Sequence, residues 1–431
     1  MKRLDYSEEQ RRDVLCIDVK SFFASVESVK HGLHPLKSEL VVMSRGDKKG
    51  GLVLAASPLV KEKYGLKTGS RKFDFPKYHK IMIVPPRMGL YVKVNQLINQ
   101  IFQQYAAPED VHPYSIDEAF IDITNSKHLF GQTTWQVARQ IQDHIWRELN
   151  LAVAVGIGDN PLLAKLALDN EAKETPSQIA EWHYEDVQEK VWGIPTITDM
   201  WGIGNRTAKR LQSLGIYSVY DLSQVDRDLI RNKMGAIGRQ LYYHSHGIDR
   251  SVISEKEGLV TKSQSIGNSQ VLERDYHKKE DIELIIREMT ANLSQRLREH
   301  KQFTSCVSLQ LGFPRQSGER ALTRQLKIEP TDTTAVLTNH LLHLYRVNEQ
   351  RRPLRNISIS FSHLGDPVFP QLNLFETSEE QEKNEKLDQV MDQVKEQFGK
   401  TALFTANSLK ESGTYLKRSR LLGGHQRDIE S

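Results

Sequence analysis

The sequence predicts a multidomain α+β protein, and three observations along its 431 residues lead to that fold class. Strand and helix patterns alternate from the apolar strand VLCIDV at 14–19 to the apolar strand LAVAVGIG at 151–158. A wholly helical pattern follows over 175–245, and it contains the glycine hairpin MWGIGNRTAKRLQSLGI. Residues 261–365 then give the order strand, helix, strand, strand, helix, strand, which predicts a small split βαβ domain.

The elements of the first region follow from their individual patterns. An amphipathic helix over about 21–31 follows the first strand, and two more helices are expected near 90–105 and 133–149. The stretch HPYSIDEAFIDIT alternates in its second half, which predicts a hairpin that bends near YSIDEAF. Beyond 366 comes a tail with the apolar patch QLNLF, and the acid-rich stretch after it carries a helical apolar stripe.

The composition is that of an ordinary globular protein, with 26% charged residues and 38% in the hydrophobic set. The chain has no apolar run long enough to span a membrane, and MKRLDYSEEQRRD lacks the apolar core of a signal peptide, so no membrane partner is expected. Cys16 and Cys306 are far apart and lack metal-ligand spacing, which favours a reducing, cytosolic setting. The net charge of +4 permits a polyanionic partner without requiring one.

Three carboxylates are candidates for a metal site. Asp117 and Glu118 are adjacent at the predicted bend, where an acid pair taken alone is most often a solvated turn. Asp18 ends an apolar strand, where an unpaired acid is costly, and its alternative role is to cap the following helix. Three carboxylates that converge at strand ends suit Mg²⁺, and two such ions about 4 Å apart clamp the oxygens of a phosphoryl transfer.

These motifs resemble those of a known family. IDVKSFFASVE, YSIDEAFID and GIGDNPLLAKLALDNEAK occur in the order and spacing of the Y-family DNA polymerases. The chain is similar to the UmuC/DinB translesion group over about residues 12–365, with YSIDEAF closest to the UmuC side. Its final segment, SLKESGTYLKRSRLLGGHQ, resembles the tails of UmuC-like proteins in Gram-positive bacteria. The resemblance implies an error-prone translesion DNA-directed DNA polymerase without proofreading, which acts in DNA damage tolerance and repair from a cytoplasmic, nucleoid-associated location.

The resemblance also implies a right-hand polymerase architecture. Its expected parts are a catalytic palm at 1–29 and 89–177, small fingers at 30–88, a helical thumb with a helix-hairpin-helix at 178–245, a linker at 246–260, a little finger at 261–365 and a C-terminal tail at 366–431.

In this family resemblance, Asp18 and Asp117 would bridge two Mg²⁺ ions, which Mn²⁺ can replace. Glu118 would hold the ion near the primer 3′-hydroxyl, and the carbonyl of Val19 would complete the other site. Positioning and charge neutralisation by such ions supply most of the catalysis in phosphoryl transfer.

The nucleotide pocket implied by the resemblance contains Phe22, Phe23, Ala55, Ala56, Lys61, Lys165 and Lys173. Phe23 falls at the steric gate that excludes a ribose 2′-hydroxyl, with a core aromatic as the alternative, which is the preferred interpretation of Phe22. The small alanines would roof the new base pair loosely. Lys173 is expected at the triphosphate, and Lys165 beside the carboxylates or nearby phosphates, whereas a solvated lysine is the usual alternative.

The sequence departs from many DinB-like members at one segment. Leu59 and Glu62 stand where those members have a Tyr and an Arg that contact the triphosphate, and Lys61 or Lys63 could substitute for them.

The DNA-binding parts are expected in the thumb and little finger. Gly202 and Gly204 would let backbone amides approach a phosphate, with Arg206 and Lys209 beside them, although an ordinary helix-helix turn is the alternative. The scattered Lys and Arg of the little finger predict salt-sensitive, sequence-independent binding of primer-template DNA.

The patch QLNLF resembles the pentapeptide that docks in the bacterial sliding clamp, with Gln371 for hydrogen bonds and Leu374 and Phe375 as apolar anchors. Local packing against the little finger is the alternative. UmuC-like members also work with a recombinase filament or a UmuD-like subunit, so either is a candidate partner.

Two other functions stay open from the sequence. One is a different metal-dependent phosphoryl-transfer enzyme on a similar palm, such as a cyclase or nuclease. The other is a non-catalytic protein that binds DNA and the clamp.

Overall fold

The computed structural model of the protein describes residues 5–44, 51–255, 265–348, 352–366 and 378–427. The chain forms two compact units, Met1–Leu259 with His425–Ser431 (unit 1) and Val260–Gly424 (unit 2). The finer boundaries expected for palm, fingers, thumb, linker, little finger and tail stay predictions.

Unit 1 combines two sheets with helices, and its last helices form a helical region. Its main elements in chain order are β1 (Val14–Val19), α1 (Phe22–Lys30), β2 (Leu40–Ser44), β3 (Leu52–Ala56), α2 (Pro58–Tyr64), β4 (Met82–Val84), α3 (Met88–Phe102), β5 (Val111–Pro113), β6 (Glu118–Asp122), α4 (Thr134–Leu149), β7 (Val153–Gly158), α5 (Pro161–Ala167), β8 (Ile179–Trp182), α6 (Asn205–Gln212), α7 (Val219–Gln224), α8 (Arg227–Met234) and α9 (Ala236–Ser245).

The larger sheet of unit 1 has the strand order β5-β6-β1-β7-β8, with β1 at its centre. Strand β1 pairs antiparallel with both β6 and β7, whereas β8 runs parallel to β7. The expectation that 175–245 is wholly helical is therefore wrong at β8. This strand forms because Ile179 and Trp182 are buried as it extends the sheet. A second sheet has the order β3-β2-β4.

The two faces of β1 pack against different cores, because side chains alternate along a strand. Leu15 and Ile17 pack with α3 and α4 in one core. Val14 and Cys16 pack with α5 in the other. Asp18 continues this second set, so its carboxylate lies on the face of the sheet that α5 covers.

Two glycines of β7 allow α5 to approach the sheet closely. A Cβ added at Gly156 would lie 2.0 Å from the carbonyl oxygen of Ala164, and one at Gly158 would lie 2.3 Å from the Ala164 amide nitrogen. No side chain fits at either position without a shift of backbone. The glycines therefore set the distance between the sheet and the helix that carries Lys165.

Unit 2 has the predicted order strand, helix, strand, strand, helix, strand, followed by the elements of the tail. Its elements are β9 (Ser265–Tyr276), α10 (Lys279–Glu299), β10 (Phe303–Gly312), β11 (Leu322–Thr331), α11 (Thr334–Val347), β12 (Leu354–Gly365), α12 (Ser378–Phe398), α13 (Tyr415–Ser419) and β13 (Leu421–Leu422), and β14 (His425–Gln426) ends the described chain in unit 1. The sheet order is β11-β10-β12-β9, with every neighbouring pair antiparallel. The inward residues of this sheet form one core with α10 and α11.

The tail contains the predicted helix, α12, but much of its apolar stripe is exposed. Leu387 and Phe398 are 58% and 67% exposed. Arg298 of α10 instead forms ion pairs of 3.1 Å with Asp388 and 2.6 Å with Asp392, so polar residues attach this helix to unit 2.

The expected clamp-binding residues Gln371, Leu374 and Phe375 lie outside the described residues. In the part of the chain that the structure describes, no helix is both long and apolar enough to cross a membrane.

Candidate active site

Asp18 and Glu118 lie opposite each other on neighbouring strands. They are Cα partners in the antiparallel register of β1 and β6, so both side chains leave the same face of the sheet. Asp117 precedes β6 by one residue, and its carbonyl oxygen accepts a 2.9 Å hydrogen bond from the amide of Val19. The register thus gathers all three candidate carboxylates and Val19 at one end of the sheet.

The alternative role of Asp18 as a helix cap is wrong. Asp18 lies inside β1, and α1 begins at Phe22 with Ser21 at its N-cap. Ser21 has a left-handed backbone with a φ of 49°, a conformation that costs about 1 kcal/mol or more in a residue with a side chain. The strained turn therefore separates the strand that carries Asp18 from the helix that carries Phe23.

Ser115 orients the carboxylate at the hairpin bend. Its hydroxyl donates a 2.7 Å hydrogen bond to Oδ1 of Asp117. The same Ser115 oxygen lies 3.3 Å from the amide nitrogen of Asp117 and 3.1 Å from that of Glu118, and accepts hydrogen bonds from both. One side chain thus holds the backbone of both acids and the side chain of one.

Two lysines on the α5 side neutralise the other two carboxylates. Lys165 Nζ lies 2.8 Å from Oε1 of Glu118, and Lys173 Nζ lies 3.6 Å from Oδ2 of Asp18. Both lysines also contact Asp169, at 2.9 Å in each case. Lys165 is therefore a buried partner of the candidate site and not a solvated lysine, since only 9% of its side chain is exposed.

The pKa values of these groups reflect burial and crowding of charge. Burial, with Asp117 and Glu118 adding to it and Lys173 opposing it, raises the pKa of Asp18 to about 6. Burial also opposes the charge of Lys165, yet Cys16, Glu118 and Asp169 outweigh it and raise its pKa above the ordinary value. The carboxylates thus share a confined region where added positive charge is favourable.

The donor chemistry fits a divalent cation. Carboxylate and carbonyl oxygens are the ligands that Mg²⁺ prefers, and Asp18, Asp117, Glu118 and the Val19 carbonyl supply them. Among the described residues, no three His, Cys, Asp or Glu side chains already converge closely enough to hold an ion. An ion at these carboxylates would compete with Lys165 for Oε1 of Glu118 and with Lys173 for Oδ2 of Asp18.

Phe23 presents a supported aromatic ring beside this site. Its ring stacks on Tyr91 of α3 with centroids 4.4 Å apart and an angle of 15° between the planes. The Tyr91 hydroxyl donates a 2.7 Å hydrogen bond to the buried carboxylate of Glu27, which also binds Arg87. Phe22 is only 2% exposed, which agrees with its interpretation as a core residue.

The two alanines predicted to roof the new base pair, Ala55 and Ala56, lie in different cores. Ala55 borders the core that contains β1, at 9% exposed. Ala56 is fully buried in the separate fingers core, so its side chain does not line an open pocket, and the prediction of a roof role for that side chain is wrong.

The structure distinguishes the two lysines proposed to replace the family triphosphate contacts. Lys63 forms a 2.6 Å ion pair with Glu39. The charge of Lys61 instead interacts with Asp18 and Asp117, although burial dominates and lowers the pKa of Lys61. Lys61 is therefore the one of the two that faces the carboxylates.

The predicted glycine hairpin forms a tight turn that leads into α6. Gly202 has a φ of +92°, which a side chain would strain, and Gly204 precedes α6 with open space around its Cβ position. Arg206 and Lys209 are exposed on α6. Arg210 instead donates a hydrogen bond to the carbonyl of Lys233, so its side chain joins two helices of unit 1.

Four residues of the site were not singled out from the sequence. Cys16 donates a 3.2 Å hydrogen bond from its thiol to Glu118 Oε1, and Ser115, Tyr91 and Asp169 make the contacts described above. Only Asp169 had a usable signal, because its spacing of four from Lys165 and from Lys173 predicts ion pairs on one side of a helix.

Three segments of the chain match models of one family. Residues 17–169 match the impB/mucB/samB family, residues 184–216 match the helix-hairpin-helix motif of that family, and residues 263–374 match its C-terminal domain. A chimeric Y-family DNA polymerase built from Dbh and Dpo4 has a similar fold, with a TM-score of 0.64 at 21% identity over 82% of this chain and all of that one.

Curated relatives span nearly the whole chain. A Bacillus subtilis protein described as a putative UV-damage repair protein, UvrX, is 39% identical over 98% of this chain and 100% of its own length. DNA polymerase IV 2 of the same organism is 33% identical over 96% of this chain and 98% of its own length. DNA polymerase IV of Moorella thermoacetica is 31% identical over 93% and 97%. The chain therefore belongs to the impB/mucB/samB family of Y-family translesion DNA polymerases.

Proposed function

We propose that the protein is an error-prone DNA-directed DNA polymerase that adds deoxynucleotides to a primer opposite damaged template bases. The observation that carries this function is the strand register that sets Asp18 opposite Glu118, with Asp117 at the bend beside them. Polymerases of this family use divalent metal ions, and their substrates are primer-template DNA and deoxynucleoside triphosphates.

Two Mg²⁺ ions, which Mn²⁺ can replace, would neutralise the charge that develops on the primer oxygen and the triphosphate. Asp18 and Asp117 would contact both ions, Glu118 the ion near the primer 3′-hydroxyl, and the Val19 carbonyl the other. The hydroxyl of Ser115 supports this assignment because it already fixes one oxygen of Asp117 and leaves the other for a ligand.

The surrounding side chains would position the incoming nucleotide. The ring of Phe23 would lie under the deoxyribose and exclude a 2′-hydroxyl, and its stacking on Tyr91 prevents it from moving aside. Lys173 and Lys61 would contact the triphosphate, since both charges interact with Asp18 where the phosphates must approach. Lys165 would remain close to the carboxylates.

Duplex DNA would be held by the thumb and little finger through its backbone. The amides beside Gly202 and Gly204, with Arg206 and Lys209, suit phosphate contacts that carry no sequence information. Synthesis without proofreading fits a role in tolerating damaged bases.

Further partners are proposed from the resemblance alone. Gln371, Leu374 and Phe375 would bind the bacterial sliding clamp, and a recombinase filament or a UmuD-like subunit would regulate activity in the nucleoid. Deletion of 371–375 tests the first of these, because clamp-dependent synthesis should fall while synthesis without the clamp stays the same.

Primer extension tests the function directly. The wild-type protein should extend a primer on undamaged and on lesion-bearing templates when Mg²⁺ is present. Replacement of Asp117 by Ala should reduce the rate at least about a thousandfold, because it removes a ligand of both ions and their charge stabilisation. Asp143→Asn is the matched control, since this acid pairs with Arg139 on the exposed side of α4.

Each alternative function has its own outcome in this experiment. No extension by the wild-type protein, together with intact DNA binding, would leave a non-catalytic binding protein. Cleavage or cyclisation that depends on Asp117 would indicate another phosphoryl-transfer enzyme. Equal extension by wild type and Asp117→Ala would overturn the site assignment.

The sugar gate has a separate test. Phe23→Ala should raise ribonucleotide insertion relative to deoxyribonucleotide insertion by about a hundredfold, because the ring that clashes with the 2′-hydroxyl is gone. Phe73→Ala removes an aromatic ring that is 75% exposed in the fingers, and it should leave the ratio unchanged. An unchanged ratio in Phe23→Ala would show that another residue excludes ribonucleotides.

A further inference from the structure

Asp169 lies at the centre of a line of alternating charges that crosses the candidate site. A π-helical turn at Leu168–Ala172 directly follows α5 and carries Asp169 between two lysines. Asp169 Oδ2 lies 2.9 Å from Lys165 Nζ, and Asp169 Oδ1 lies 2.9 Å from Lys173 Nζ. Each lysine then continues to one carboxylate of the sheet, Lys165 to Glu118 and Lys173 to Asp18.

This line differs from an ordinary pair of charges on a helix surface. Arg139 and Asp143 of α4 also form a pair four residues apart, but their side chains are 57% and 54% exposed. Lys165 and Glu118 are only 9% and 10% exposed. Screening by water is therefore weak at this end of the line, and a change of one charge should be felt by its neighbours.

Each of the two lysines contacts one oxygen of a carboxylate that an ion would need. Lys165 forms an ion pair with Glu118, and Lys173 forms an ion pair with Asp18. A cation that binds those carboxylates competes with both ammonium groups for these oxygens, and an ammonium group that is displaced needs another counter-charge. Asp169 is in contact with both of them already.

We propose that Asp169 is a positioning residue for the divalent ions: it retains Lys165 and Lys173 when the ions displace them from Glu118 and Asp18. Its charge lowers the cost of that exchange, since each lysine keeps one of its two acid partners. This inference rests on the proposed metal site, and it assigns to Asp169 no contact with substrate or metal.

The balance of charge gives the expected direction. Among the groups that contact each other here, Asp18, Asp117, Glu118 and Asp169 carry four negative charges and the two lysines carry two positive charges, which sum to −2. Lys61, which also faces these carboxylates, is the same in every variant. Asp169→Asn changes the sum to −1 and leaves Lys165 with Glu118 as its only acid partner among those described. Lys165→Met changes it to −3 and frees Glu118. The double variant returns it to −2.

Direct binding of Mn²⁺ to the full-length protein tests the inference without any turnover. Mn²⁺ affinity is measured by electron paramagnetic resonance in the presence of primer-template DNA ending in a dideoxynucleotide and the next nucleotide. Asp169→Asn should weaken binding by about tenfold, the usual effect of losing a group that supports metal ligands. Lys165→Met should tighten binding, and the double variant should return to within about threefold of wild type, since losing one negative and one positive charge leaves the net charge of these groups unchanged.

Two further variants keep the result decisive. Asp143→Asn removes one negative charge on α4 and should leave Mn²⁺ affinity unchanged. Asp169→Glu keeps the charge and should retain affinity. Asp169→Ser, which also removes the charge, replaces Asp169→Asn in the comparison with Lys165→Met if Asp169→Asn does not fold. A purely structural role for Asp169 would instead lower thermal stability in Asp169→Asn with no tightening in Lys165→Met.

Failure of this inference can be told apart from failure of the metal site. If Asp117→Ala abolishes Mn²⁺ binding while Asp169→Asn and Lys165→Met leave it unchanged, the metal site stands and the role of Asp169 is overturned. If Asp117→Ala also leaves Mn²⁺ binding unchanged, the proposed metal site itself falls.

Discussion

Ser115 shows how a single hydroxyl can aim two neighbouring acids at one place. Adjacent residues of a regular strand point to opposite faces, so Asp117 and Glu118 can share a site only across a bend. The Ser115 hydroxyl holds that bend by accepting from both amides and donating to the Asp117 carboxylate. The geometry of the proposed site therefore depends on the Ser115 hydroxyl as well as on the carboxylates.

Ser115→Ala should lower the rate of primer extension by about tenfold or more, because the proposed ligand carboxylate of Asp117 loses its orienting hydrogen bond. The expected effect is on kcat, measured by single-turnover extension at saturating nucleotide. Ser126→Ala is the matched control, since it also removes a serine hydrogen bond, to the carbonyl of Tyr105, away from the carboxylates. Equal losses in both variants would show that Ser115 acts through stability alone.

His183 links two acids in unit 1 through both ring nitrogens. Nδ1 lies 2.8 Å from Asp159 Oδ1, and Nε2 lies 3.1 Å from Glu181 Oε1. The hydrogen bond to Asp159 and that to Glu181 outweigh burial and raise the pKa of His183 from 6.5 to about 10. The protonated ring is therefore favoured by the folded state.

The stability supplied by His183 should depend on pH. Because the folded pKa is the higher one, this stability is fully present below about pH 6.5 and is lost as pH rises towards about 10. His183→Gln should lower the free energy of unfolding at pH 6 by about 1 kcal/mol or less, since exposure of the ring screens the pairs. At pH 10 the two proteins should differ much less.

Urea denaturation at both pH values measures this difference without adding salt that would screen the ion pairs. His343→Gln, on an exposed position of α11, should show no such pH-dependent difference. A constant difference between His183→Gln and wild type at both pH values would mean that the ring acts only by packing.

At the scale of elements, the contact between β7 and α5 decides where the lysines lie. Gly156 and Gly158 let the helix backbone reach the strand, and a Cβ at Gly156 would also lie 2.4 Å from the amide nitrogen of Leu168. The position of α5 determines where Lys165 and Asp169 lie. This packing contact therefore also sets which charges surround the candidate site.

Gly156→Ala should therefore reduce both stability and activity. Overpacking against backbone that cannot yield costs about 3 kcal/mol, and any relief requires α5 to move away from the sheet. Thermal denaturation and primer extension measure the two effects. Gly365→Ala is the control, because nothing lies within 4 Å of its Cβ position. If Gly156→Ala is as stable as the wild-type protein, the close packing of α5 on β7 is contradicted.

The packing of α5 on β7 also shows which features could be predicted from the sequence and which could not. Asp18 and Glu118 were found because their strands carry strong local patterns. Lys165 was expected beside the carboxylates, whereas its helix partner Asp169 was not singled out, although their spacing of four predicts an ion pair. Strand β8 was missed because it has only four residues and forms by pairing with β7, the preceding strand, across the intervening helix. The stripe with Leu387 was correctly assigned to a helix, yet burial did not follow from periodicity.

At the scale of the whole molecule, the segment after β12 packs against the earlier elements of unit 2. Thr414 donates from its amide and from its hydroxyl to Oε2 of Glu288 on α10, at 2.8 Å in both cases. Arg418 binds Gln270 of β9 at 2.6 Å. These contacts join residues more than a hundred positions apart in sequence, so the C-terminal segment is part of the folded unit and not an appendage.

Thr414→Val should destabilise unit 2, because it removes one of the two hydrogen bonds to a carboxylate that is only 7% exposed. Loss of a hydrogen bond to a buried charged group costs about 1–3 kcal/mol, so the urea midpoint should fall. The released segment should also become more sensitive to trypsin at Lys417 and Arg418. Thr405→Val, at an exposed position of the same segment, is the matched control. If both variants match wild type in midpoint and cleavage rate, the pairing of Thr414 with Glu288 does not hold the segment to unit 2.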